Sequence, residues 1–114
     1  MAKYKIEKKQ IDSIIFRYLD LKLTNVCKGK NWVYFSDNEN FEYSQLSLLK
    51  YAGVLYINPE ILEEIEEMFS ITRYLSHNAV FLYVKEHKNF SNCTDTIIVD
   101  SKKHKVLQKN ELCS

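Results

Sequence analysis

Four acid-x-Lys triplets are the first residues whose types and spacing could do chemistry: Glu7-Lys8-Lys9, Asp20-Leu21-Lys22, Glu86-His87-Lys88 and Asp100-Ser101-Lys102. In metal-dependent nucleases such a triplet supplies a cation ligand and a catalytic lysine, but only with a further upstream acid and a strand to hold them. A chain of this composition yields about two such triplets by chance, so four is a weak excess. His77, His87 and His104 stand singly, with no H-x-x-x-H and no readable pairing with a cysteine nucleophile. Two glycines in the whole chain, and no G-x-G-x-x-G or P-loop, leave no phosphate-cradling loop. The expectation is a chain without catalytic residues, bound metal or cofactor.

A second constellation is electrostatic. Glu60 and Glu64, and Glu63 and Glu67, are i, i+4 pairs on one expected helix that carries no Lys or Arg. Each like-charged pair costs about 0.2–0.5 kcal/mol, partly offset for Glu60 and Glu63 by the helix N-terminal dipole. These four residues are the candidate contacts for a basic protein partner, including a nucleic-acid-binding protein for which the acidic face resembles a phosphate backbone. The competing readings are a solvated outer face and pairing with the chain's own Lys-rich N-terminus.

The charge is segregated along the chain. Residues 1–30 carry eight basic and three acidic groups (+5), residues 31–70 one and eight (−7), and residues 71–114 seven and four (+3), within a total of only +1. The basic N-terminal segment, interleaved with Tyr4, Phe16, Tyr18 and Trp32, gives an alternative reading as a nucleic-acid-binding module through Lys5, Lys8, Lys9 and Lys30. Trp32-Val33-Tyr34-Phe35 is apolar on both faces, and Phe16 lies off the main helical stripe. A two-faced strand must be covered on both sides, so Phe16, Trp32 and Tyr34 are candidate homodimer or partner contacts unless two layers of the same chain enclose them.

The elements that must position these residues follow from periodicity. Ile11, Ile14, Ile15, Tyr18 and Leu19 recur at helical spacing and predict a helix from about Glu7 to Leu21. Leu23 to Cys27 and Asn31 to Ser36 predict a β-hairpin around Lys28-Gly29-Lys30, whose glycine can take positive φ. Asp37 to Asn40 predicts a turn, followed by Phe41 to Ser44 and Gln45 to Ala52 as imperfectly alternating strand. Val54 to Ile57 predicts an inner strand, and Asn58-Pro59 a capped helix start, with Ile61, Leu62, Ile65, Met68 and Phe69 as its apolar stripe. A further helix is expected to restart at Ser70 or Ser76 and carry Leu75, Ala79, Leu82 and Tyr83, although Val80 to Val84 has equal strand propensity; Thr96 to Val99 has strand character.

The whole reads as one α+β domain over residues 1–100: an N-terminal helix, an antiparallel meander of about four strands, two helices and a short C-terminal strand, with a polar tail over residues 101–114. At 114 residues the chain can bury one core without metal or disulfide help. Cys27, Cys93 and Cys113, odd in number and widely spaced, are expected to be three free thiols in a reducing cytosol. No stretch approaches the ~20 apolar residues of a membrane span, and no signal peptide opens the chain, so a cytoplasmic protein with no membrane partner is expected. On that basis the sequons at Asn89 and Asn92 are read as chance.

Two stretches, residues 14–20 (IIFRYLD) and residues 55–70 (LYINPEILEEIEEMFS), resemble a pattern in small uncharacterised proteins of phage-like genomes. The resemblance covers roughly residues 14–90: a helix ending F-x-Y-L-D, a strand meander, a Y-I-N step into a helix, and a helix ending in F-S. This chain departs from it in the enlarged acidic face at Glu64, Glu66 and Glu67 and in the apolar stretch from Ser76 to Val84. The resemblance implies an accessory, host-directed protein acting in the host cytoplasm and transfers no functional residue.

Overall fold

The computed structural model describes residues 8–37 and 46–98. The expected strand at Phe41 to Ser44, Lys5 and the polar tail lie outside them. In order, the elements are α1 (Lys8–Lys22), β1 (Asn25–Lys28), β2 (Trp32–Ser36), β3 (Ser47–Tyr51), β4 (Val54–Ile57), α2 (Pro59–Phe69), α3 (Arg73–Leu82), a π-helical turn (Tyr83–His87) and β5 (Asp95–Ile98). The sheet order is β1-β2-β3-β4-β5. The first four strands form the expected antiparallel meander, while β5 pairs in parallel with β4, making the sheet mixed. That parallel pairing is what the two intervening helices allow, because a parallel neighbour needs a long crossover.

Alternation along the strands sorts the sheet into two faces. Val33, Phe35, Leu48, Leu55 and Ile57 lie on the face that packs against the helices, together with Ile15, Leu19, Ile61, Leu62, Ile65, Ala79, Val80 and Tyr83. The other face carries a row in register across all five strands, Cys27, Tyr34, Leu49, Tyr56 and Ile97. Tyr34 and Leu49 at its centre are 2% and 1% exposed, while Cys27 and Tyr56 are half-buried and Ile97 at its edge is 43% exposed. Burial pushes the Tyr34 phenol above its ordinary value, against a hydrogen bond from Ser47.

Several expectations shift in detail. The predicted α1 stripe holds at Ile11, Ile15, Tyr18 and Leu19, which are buried or packed against the core, as are Phe16 and, just beyond the helix, Leu23, whereas Ile14 is exposed. Phe16 is drawn inward by the rings of Tyr83 and His87, at 6.0 and 5.0 Å between centroids. Met68 likewise leaves the predicted α2 stripe and is exposed, because Ile61, Leu62 and Ile65 already fill the contact. The third helix starts at neither Ser70 nor Ser76 but at a Thr72 cap, whose hydroxyl accepts from the Leu75 N–H at 3.2 Å. Ser70 instead closes α2 in the left-handed conformation, φ 52°.

The β1–β2 hairpin forms as expected, but Gly29 does not have positive φ. Its glycine is required for space, since a Cβ there would run into the Trp32 indole. The expectation of three free thiols fails at Cys27, which is disulfide-bonded, and with it goes the cysteine argument for a reducing compartment. Cys93 is a buried free thiol, and burial outweighs the nearby Lys50 and Lys85 to push it up.

Candidate functional site

The acidic face is built by the end of β4 and the start of α2. Asn58 leaves β4 with extended backbone, and its Oδ1 accepts from the Glu60 N–H at 3.0 Å, with Pro59 in the first turn where no donor is needed. Ile61, Leu62 and Ile65 then fix the rotation of the helix by burial. At roughly 100° per residue, Glu63 and Glu67 are turned away from that stripe, with Glu60 and Glu64 on its flank. Glu63 and Glu67 are exposed and Glu60 and Glu64 half-buried.

The flanks are tied down. On the α1 side the Tyr18 hydroxyl donates to Glu64, and burial together with that carboxylate raises the Tyr18 phenol far above its ordinary value. On the α3 side the Arg73 guanidinium donates to Glu66 and stands 3.8 Å from Glu63, while the Ser76 hydroxyl donates to Glu66 at 3.4 Å. Among the described residues the cation that pairs with this face is Arg73 of the next helix; Lys3 and Lys5 of the N-terminal segment lie outside them. Glu67 has no ion pair among the described residues, and the Glu60 Oε2 is buried without a hydrogen-bond partner. Met68 and Tyr74, 52% and 73% exposed, are the large hydrophobic residues left open on α2 and α3.

A second cluster was not visible as a unit in the sequence, although two of the acid-x-Lys triplets contain its members. Asp20 on α1 accepts from the Tyr83 hydroxyl at 2.8 Å, pairs with His87 Nε2 at 2.7 Å and with Lys88 Nζ at 3.1 Å. His87 stacks on Tyr83 at 5.4 Å, and Phe16 completes a triangle of rings, 5.0 Å from His87 and 6.0 Å from Tyr83. Burial works to raise the Asp20 carboxyl, but the bonds from His87, Tyr83 and Lys88 prevail and hold it below the usual carboxylate range. A cavity of about 260 Å³ opens beside it, lined by Ser13, Phe16, Arg17, Asp20 and His87. Asp20 meets three partners from the segment Tyr83 to Lys88, and so staples α1 to the π-helical turn. The one signal in sequence was that Asp20 and Lys88 each belong to a triplet, in different ones.

The remaining candidates are dispersed. Lys8 opens α1, and Lys9 borders a groove with Gln10, Ser13 and Ile14, whereas Lys30 borders a separate cavity beside Lys28, Trp32, Lys50 and Phe90. Among the described residues no group of three or more His, Cys, Asp or Glu side chains could hold a metal ion. Phe16 packs into the core, Tyr34 is buried in the second sheet face, and Trp32 is half-buried against Gly29. No helix among the described residues is long and apolar enough to cross a membrane. Comparison with protein-family models, with curated proteins and with solved structures finds no match for the chain.

Proposed function

We propose that this chain is a non-enzymatic interaction protein that meets a basic protein partner through the outer face of α2. The observation that carries the reading is the contrast between the two sides of the acidic helix and its centre. Glu64 and Glu66 are engaged by Tyr18 and Arg73, whereas Glu67 has no ion pair among the described residues and Glu63 keeps only a long one with a side chain 60% exposed. Such a stripe supplies uncompensated negative potential, which steers a positively charged surface toward it. Met68 and Tyr74 give the neighbouring surface the methionine and aromatic character enriched in protein contacts. The phage-like resemblance extends the proposal to a host protein as the partner.

The nucleic-acid reading draws less support, because Lys9 and Lys30 border different concavities with no lining residue in common. A phosphate backbone is held by cations that share one surface.

The test is the affinity of the full chain for a fluorescent Lys/Arg-rich peptide, followed by anisotropy at low salt. Combined Glu63→Lys and Glu67→Lys substitution is expected to weaken binding at least about tenfold, and added salt to weaken the unsubstituted chain. Both side chains are exposed, so the double variant is expected to keep the fold. Equal affinity of the two chains would reject the acidic face.

A further inference from the structure

Register brings two lysines onto one face at the end of the sheet where the β1–β2 and β3–β4 turns lie. Lys28 pairs with Val33, Val33 with Lys50 and Lys50 with Leu55, and residues directly opposite one another share a face. Val33 and Leu55 belong to the core, so Lys28 and Lys50 stand on the helical side of the sheet, two strand spacings or about 10 Å apart. Lys30 follows in the turn, and the Trp32 indole folds back over Gly29, where a Cβ would meet it. Together with Phe90 these residues line a cavity of about 170 Å³ to which no Asp or Glu contributes.

Lys50 is the unusual member. It is the one basic group of residues 31–70 and is 4% exposed, yet it has no carboxylate partner among the described residues. Its ammonium donates to the Ala52 carbonyl at 2.6 Å and lies 5.7 Å from the centroid of the Phe90 ring. A carbonyl and a ring favour a cation without neutralising it, and a buried charge that lacks a counter-ion is costly. Lys28 and Lys30, exposed at the rim, likewise make no ion pair among the described residues. The Trp32 indole N–H adds a neutral donor with no acceptor among them. Three positive charges around one concavity raise its potential and call for an anion.

The kind of anion follows from the donors. No arginine fork lines the cavity, so nothing there matches a planar carboxylate bidentately. Lysines are point donors, and three of them on separate strands and a turn approach from different directions, as the oxygens of a tetrahedral dianion require. The volume, roughly that of five or six waters of liquid, holds such an ion with part of its hydration. We propose that this cavity is a binding site for a phosphate dianion, with Lys28 and Lys30 at its rim, Lys50 at its floor and the Trp32 indole N–H as the neutral donor. The two sources of that group are free phosphate and the monoester of a mononucleotide. The site shares no residue with the outer face of α2 and stands or falls apart from it.

Trp32 is the chain's single tryptophan, so its fluorescence reports on the cavity alone. The experiment titrates the full chain at constant ionic strength with inorganic phosphate, with adenosine 5′-monophosphate and with adenosine, exciting at the red edge of the indole band, where adenine does not absorb. A saturable change is expected with phosphate or the monophosphate and at least about tenfold weaker binding in Lys50→Met and in Lys28→Gln, while Lys9→Gln, which removes the same charge beside a different groove, leaves it unchanged. Lys28 is exposed, so its variant is expected to keep the fold and decides the matter by itself should Lys50→Met fail to fold. Tighter binding of the monophosphate than of phosphate identifies a nucleotide as the source, and the reverse the free ion. No saturable change with either, an equal response to adenosine, unchanged affinity in Lys28→Gln, or equal weakening in Lys9→Gln would each overturn the site.

Discussion

Asp20 does more at the scale of single residues than any other ionised group described. One carboxylate takes the Tyr83 hydroxyl, His87 and Lys88, joining the first helix to the π-helical turn some sixty residues later in the chain. Its folded pKa is lowered, so the stabilisation it gives is fully present above the unfolded carboxylate value of about 3.9 and is lost as pH falls through the lower folded value. Asp20 is 39% exposed, so solvent screening limits the effect, and urea unfolding is expected to show Asp20→Asn less stable by at most about 1 kcal/mol at neutral pH, with the difference closing under acid. A difference that stays constant down to pH 2 would contradict the assignment. Asp20, His87 and Lys88 are each ordinary in sequence, and sixty-odd residues of separation hide their meeting. Gly29 was legible as a turn glycine for the wrong reason: its missing Cβ makes room for Trp32, a demand set by packing and not by φ.

Elements were easier to read where several local signals agree. At Asn58-Pro59 the cap, the proline and the apolar spacing all mark one boundary, and α2 begins there. Asn58→Ala is expected to cost about 1 kcal/mol in thermal or chemical unfolding, since the Glu60 N–H loses its acceptor. No measurable loss would mean that the cap contributes nothing beyond solvent. α1 was legible as a helix and in most of its buried stripe, which departs from expectation in that Ile14 is exposed and Phe16 packs inward beside Tyr83 and His87. The stretch after Ser76 carries equal strand and helix propensity, and the Thr72 cap and burial of Ala79, Val80 and Tyr83 resolve it as helix. The parallel placement of β5 beside β4 is non-local and leaves no mark in the strand itself. The acidic face was legible as a pattern, whereas Arg73 and Tyr18, which trim it from both sides, lie on other elements.

At the scale of the whole molecule the near-neutral total charge conceals a segregated surface. The −7 of residues 31–70 is concentrated on α2, whose inner stripe is buried in the core and whose outer stripe faces solvent. Tyr34, at the centre of the two-faced β2 strand, is itself buried. The proposed contact surface lies on the helical side of the molecule, and binding there is expected to be electrostatic, directional and local. An amide NMR titration of the full chain with a Lys/Arg-rich peptide tests this most directly. Shifts centred on Glu63 and Glu67, spreading to Met68 and Tyr74 and fading with salt, are the predicted result; shifts scattered over the sheet, or confined to the Lys28-Gly29-Lys30 turn, would contradict it.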